Sequence, residues 1–319
     1  MSLFGHLFDH RSEQENPVLP AAIERAVSAV EPLLMHMHGY PDSYRKPVGA
    51  ALEYAHHLAD ALPGPVTVDR ESYAMDAFIH ALFPSVDLIR DALCASYALR
   101  DYREEFPASN ELYALMGMRR NEKSVMGMEL TGQTIQRDVV QKAVYFTSHT
   151  IAYPASTEQQ SREQIAMSFF DSLVGRVKQR IERRKQAKQA QMLKRDMLMA
   201  QLHTANTRDR PALEKQLAGQ IASLQSAVGS LDLSNDVADF EAVLLHPEEY
   251  LRLHQTRIVL DSMGIRRTAD EAGGGKAILF NDLIGFDRRD WTVTMVRCGR
   301  LQSESFAAKL DKAYRRLVI

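Results

Sequence analysis

The sequence predicts an α+β protein, predominantly helical: an N-terminal helical module, an antiparallel β-meander, a long antiparallel coiled-coil hairpin and a small C-terminal module mixing α and β. Three observations carry this. Apolar residues recur every three or four positions through the first hundred residues; strand formers take over from Leu112; and from Ser156 a run of about fifty residues, near 70 Å as a helix, contains no proline. With 319 residues, 45% hydrophobic and 25% charged, the chain can bury a sizeable core.

The expected segments are a flexible stretch at 1–19, a helical module at 20–106, the meander at 111–153, the hairpin at 157–231 and the C-terminal module at 235–319, which could form one body with 20–153. At the start, Leu3, Phe4, Leu7 and Phe8 share one face of a potential helical turn and are candidates for docking on the protein or a partner. Pro17 and Pro20 introduce a helix carrying Ile23, Val27, Val30, Leu34 and Met37, with a kink at Pro32 and an end at Gly39. A second helix follows Pro47 with Val48, Leu52, Ala55, Leu58 and Leu62 on one face, and stops at Pro63–Pro65. Two more, capped by Asp69 and Ser85, are separated by Pro84.

The meander is expected to have three strands, with "RNEKS" and "TGQTIQRD" as turns. Ser156 with Gln159, or Thr157 with Gln160, forms a capping box for the long helix. After the turn "NTRDRP", Leu213, Leu217, Ile221, Leu224, Val228 and Leu231 follow the spacing of a coiled-coil seam. Pairing Leu202 with Leu213 then brings Val228 near Ala187 and sets residues 176–195 against roughly 220–239. Strand-like "HQTRIVL", "KAILFNDLI" and "WTVTMVRC" follow Pro247, then a final helix with Phe306, Leu310, Ala313 and Leu317. The two β regions, 112–153 and 254–298, flank the hairpin and could share one mixed sheet or form two packed β layers at its base.

Arg176–Arg195 holds nine Lys or Arg against Glu182 alone, in a chain of net charge −2. From Gln216 to Leu251 there is no Lys or Arg, while Asp232, Asp236, Asp239, Glu241, Glu248 and Glu249 are acidic. Internal charge matching across the hairpin is therefore the first reading. The second is that the surplus cations, Arg176, Arg180, Arg183, Arg184, Lys185 and Lys188, bind a polyanion or an acidic partner. The stretch lacks aromatic residues for stacking on single strands and a continuous apolar face for a membrane.

No catalytic residue, metal site or cofactor is expected. "EAGGGKA" has Asp270 and Ala277 where a phosphate loop needs Gly and Ser or Thr. Glu53 and His56 give one Glu-x-x-His element without a second. Ser148 and His149, adjacent on a strand, should face opposite ways. Cys94 and Cys298 fit no disulfide framework or zinc spacing, and read as inert core thiols of a cytoplasmic protein. The fourteen methionines read as core and seam filling more than as an adaptable surface, and Trp291 as a core anchor. The sequence thus favours a non-enzymatic scaffold that engages a protein partner or a second copy through the hairpin. The alternative is a nucleic-acid-binding accessory protein using the basic helix; the third is an enzyme with a site between the two β regions.

Overall fold

The fold is taken from a computed structural model that describes residues 18–109, 111–131, 134–228, 233–267, 275–285 and 290–299. Leu3, Phe4, Leu7, Phe8, the final helix and most of "EAGGGKA" lie outside the described residues. The protein is α+β and predominantly helical. It divides into two compact units: the chain up to His57 with Met167–Leu251, and Leu58–Ala166 with the chain from Arg252 onward. The division falls inside two helices, which a reading based on breakers in the sequence does not anticipate.

The first unit opens with α1 (Val18–Val30), which buries Ala22, Ile23, Ala26, Val27 and Val30. Pro32 ends this helix instead of kinking it. Lacking an amide hydrogen and clashing one turn back, it diverts the chain into a 3-10 turn, Pro32–His36, capped by Glu31. Helix α2 (Asp42–Asp60) begins before Pro47, because Ser43 and Tyr44 already donate to Gly39 and Pro41, so Pro47 falls within the helix. Fully buried Ile23, Leu34, Tyr44, Phe170 and Phe240 anchor this unit's core, each aliphatic member contributing roughly 1.5–3 kcal/mol. The Tyr44 ring meets Phe240 edge-on at 5.2 Å.

Helix α7 runs over 47 residues, Glu158–Thr204, with Thr157 Oγ1 accepting the Gln160 amide at its start. The chain turns and returns as α8 (Arg210–Val228), followed by α9 (Leu233–Leu244) and a 3-10 turn, Pro247–Glu249. Gln220 Nε2 donates to the Gln191 carbonyl at 3.2 Å, within about a turn of the expected register. Along α7 the less exposed positions Ile181, Arg184, Lys188, Gln191, Arg195, Leu198 and Leu202 step by three and four. This is seam spacing, with polar residues filling the middle.

In the second unit each of the two expected helices after Pro65 is split. Asp76 accepts the Phe78 amide and separates α3 (Arg70–Met75) from α4 (Ala77–Leu82); Ser96 accepts the Leu99 amide and separates α5 (Val86–Ala95) from α6 (Tyr97–Glu105). Both are good N-cap residues inside runs whose periodicity looked continuous.

The expected three-stranded meander is instead two long strands, β2 (Glu111–Thr131) and β3 (Thr134–Ala155). Strand β1 is the short Val66–Thr67; β4 (Leu251–Leu260), β5 (Lys276–Gly285) and β6 (Asp290–Gly299) complete one sheet of order β3-β2-β6-β5-β4, with β1 parallel to β6. The two β regions therefore share a sheet. "RNEKS" stays extended because β6 pairs with β2 only as far as Met118. Beyond it the β2–β3 ladder continues as a ribbon, where polar residues do not have to be buried.

Strand β3 carries an extra residue at three register shifts against β2, and Asp138, Ser148 and Tyr153 there have positive φ. These are bulges that bend the strand. At the far edge, Gly264 and Arg266 bond to β3 through Val144 and Lys142, while Arg267 donates to Val259 of β4. The segment 264–267 thus links the two outer strands and closes the sheet on itself. Gly264 has φ +74°, and a Cβ there would lie 3.0 Å from the Val144 carbonyl oxygen.

One face of this closed sheet presents Leu112, Ala114, Met116, Met118, Val144, Phe146, Ile258, Leu260, Ile278, Phe280, Val296 and Cys298, covered by Ile79, Leu82, Phe83, Ile89, Leu93 and Leu99 from α4, α5 and α6. Farther along, Asp282 accepts from Thr292 at 2.7 Å and Thr256 at 2.9 Å, and pairs with Arg120 at 2.8 Å. A buried carboxylate is satisfied there by three different strands.

Candidate functional sites

In the first unit the cations of α7 meet acids from both directions along the chain. Arg180 reaches Asp239 at 3.0 Å and the Tyr250 hydroxyl at 2.9 Å. Arg184 bridges Asp236 and Asp239, both largely buried. Lys185 pairs with Glu31 at 2.5 Å, which lowers the Glu31 pKa below the ordinary carboxylate value, chiefly through this hydrogen bond. Burial acts oppositely on Asp236: it raises the carboxyl pKa despite Arg184, because desolvation outweighs the attraction of the guanidinium. Arg176 donates to Gln179 and lies 5.6 Å from the centre of the Tyr250 ring; burial, then Arg183, lowers its pKa. Of the six candidate cations, Arg180, Arg184 and Lys185 are thus held by intramolecular acids. Among the described residues no acid pairs with Arg183 or Lys188.

Beyond this cluster, among the described side chains, α7 and α8 bury few, Leu198 and Leu224 among them. Leu193 and Met197, one turn apart, are 63% and 57% exposed, and Met192, Met199 and Ile221 are also exposed. Periodicity alone could not reveal this, because apolar residues occupy more than one face of the helix.

The second unit holds a cavity of about 620 Å³ between α3, α4, strands β3–β5 and the turn Asp261–Gly264. Residues of both β regions line it: Phe146 from the first, Leu260, Lys276 and Ile278 from the second. His80 Nε2 lies 3.1 Å from the Ser262 carbonyl, which can only accept, so this nitrogen carries the hydrogen and ties α4 to the turn. The Tyr73 ring lies against His80, tilted by 41° with ring centres 4.7 Å apart, and its hydroxyl donates to the Pro84 carbonyl. Asp261 is tied to Arg267 at 2.8 Å and accepts the Met263 and Ile265 amides. The rim carries Met75 and Met263, 80% and 83% exposed. Of the cavity residues, Lys276 belongs to the rejected phosphate-loop candidate "EAGGGKA"; nothing in the sequence signals that the lining residues meet, because four separate segments supply them.

His149 is committed elsewhere: its ring stacks on Phe83 at 4.6 Å and its Nε2 donates to the Leu82 carbonyl at 2.9 Å. The bulge at Ser148 breaks the alternation expected for this pair, yet the histidine serves packing. Burial lowers its pKa. Cys298 is buried and pushed up to about 12 by desolvation, whereas Cys94 is exposed, contrary to the expectation of two core thiols. Trp291 is only partly buried, under the Arg119 guanidinium at 5.0 Å. The methionines divide: Met116 and Met118 are core, while Met126, Met128, Met192, Met197 and Met199 are exposed. Among the described residues no group of His, Cys, Asp and Glu could hold a metal, and no helix is long and apolar enough to cross a membrane.

Comparisons with protein-family models, with curated proteins and with solved structures return no match.

Proposed function

We propose that this protein is a non-enzymatic interaction protein whose α7–α8 hairpin docks on a protein partner, a second copy of the chain being the simplest. The observation that carries this reading is the exposed pair Leu193 and Met197, one turn apart and off the seam that holds Leu198 and Leu224, with Met192 and Met199 exposed on a neighbouring face. A two-helix arm with Arg184, Lys188, Gln191 and Arg195 at its seam positions has little apolar burial of its own among the described side chains, and a partner covering Leu193 and Met197 supplies more. Methionine suits such a surface because its unbranched side chain adapts to different neighbours. The exposed cross-strand pair Met126 and Val140 on the β2–β3 ribbon adds a second adaptable apolar surface.

The test is mass against concentration by sedimentation velocity, for the natural chain and for the variant Leu193→Gln, Met197→Gln, Met199→Gln. Self-association that the variant loses supports the reading. A monomer throughout, with the variant unchanged in a pull-down of partners, refutes it.

A second reading, nucleic-acid binding, is favoured by Arg183 and Lys188, which have no acid partner among the described residues. Titration of labelled duplex and single-stranded DNA and RNA across a salt series separates it. Two phosphate contacts would give a slope of about −2 in log affinity against log salt, which Arg183→Gln with Lys188→Gln removes.

A further inference from the structure

We infer that the cavity of the second unit is a binding site for a small aromatic acid: a planar apolar body held between aromatic walls, with one anionic group meeting Lys276. The cavity volume of about 620 Å³ lies in the range of sites that bury small organic ligands. Its walls include Tyr73, His80, Phe83 and Phe146, whose rings favour offset or edge-on contact with a flat ligand.

Two further features separate it from a packing gap. Met75 and Met263, from different segments, both line the cavity and are both largely exposed. Thioethers at a rim can close over a ligand by changing rotamer. The charge pattern also selects an anion. Asp261 is neutralised by Arg267, and Asp76 is engaged by the Phe78 amide as the cap of α4. Lys276 is the lining cation, and among the described residues no acid pairs with it. An aromatic carboxylate, sulfonate or phosphate matches this set, and the apolar walls strengthen a charge interaction at the rim.

The cavity is built to persist. Its turn is held by Asp261, by the bond from His80 to Ser262 and by Gly264, whose positive φ lets the chain approach Val144. The site is therefore largely pre-formed before ligand arrives, as small-molecule sites usually are. This inference is independent of the hairpin and goes beyond the proposed interaction role.

The experiment uses the full chain and two probes: 8-anilinonaphthalene-1-sulfonate, an aromatic anion, and N-phenyl-1-naphthylamine, its uncharged counterpart. Fluorescence titrations are made with the natural protein, Lys276→Gln, Ala81→Trp, and the hairpin variant Leu193→Gln, Met197→Gln, Met199→Gln, with circular dichroism as the check on folding. The expected result is saturable one-site binding of the anion, weakened about fivefold by Lys276→Gln, as loss of one partly exposed charge contact implies. The uncharged probe should bind equally to the natural protein and Lys276→Gln. Filling the cavity with Ala81→Trp should remove both probes, and the hairpin variant should bind as the natural protein does. Anion binding indifferent to Lys276→Gln and Ala81→Trp, or lost in the hairpin variant, would overturn the assignment. Equal weakening of both probes by Lys276→Gln would overturn the acidic character of the ligand.

Discussion

Arg184 is the residue on which the charge cluster turns. Its guanidinium is held between Asp236 and Asp239, whose side chains are 6% and 13% exposed. Removing one partner of a buried ion pair leaves an uncompensated charge, so Arg184→Met should cost about 3 kcal/mol in urea unfolding, and adding Asp236→Asn should restore part of it. His149 gives a pH-dependent counterpart. Burial lowers its folded pKa, so the neutral ring favours the folded state. That contribution is present above the ordinary histidine value of about 6.5 and is lost as pH falls through it toward the lower folded value. His149→Phe leaves the Leu82 carbonyl without its donor and should cost about 1 kcal/mol at pH 7.5. The gap between natural protein and variant should narrow at pH 5.5; a constant gap would mean that the ring does not titrate with folding. Charge composition made the basic and acidic segments legible in advance. Which cations are neutralised depends on side-chain placement, as does the role of Glu31, far from Lys185 in sequence.

At the scale of elements, the segment 264–267 decides the form of the sheet, because it bonds to β3 and β4 at once. Gly264→Ala forces a side chain onto a left-handed residue and toward the Val144 oxygen. The expected cost is about 1–2 kcal/mol, with earlier hydrogen exchange at the Val144 and Arg266 amides than at the β3 amides bonded to β2. An unchanged exchange pattern would show that these bonds are not cooperative with the sheet. The start of α7 was readable to within a residue from two candidate caps, Ser156 and Thr157, of which Thr157 accepts the Gln160 amide, and its length from the lack of any breaker but Gly175. The continuity of β2 through "RNEKS" was not, because polar residues in an extended run signal a turn unless one knows that no neighbouring strand covers them. The splitting of the N-terminal helices at Asp76 and Ser96 had a local signal, the cap residue, masked by apolar periodicity on both sides.

For the whole molecule, a Gly/Ser linker in place of Ala190–Ile221 should change the melting midpoint by no more than a few degrees, since that span buries little beyond Leu198. The same deletion should abolish any self-association measured by sedimentation. A large loss of stability would instead make the distal hairpin part of the folding unit. The sequence by itself determined the α+β class, the order of helical and extended regions, the long helix with its returning partner, and the presence of opposed charges on them. Each of these follows from local propensity or from residues a few positions apart, which periodicity, caps and charge counts report. Only the tertiary structure decided that both β regions form one sheet, that Arg184 is enclosed by Asp236 and Asp239, and that Tyr73, His80, Phe146 and Lys276 surround a common cavity. Those relations join residues far apart in the chain, and are set by strand pairing and packing that leave no periodic mark in the sequence.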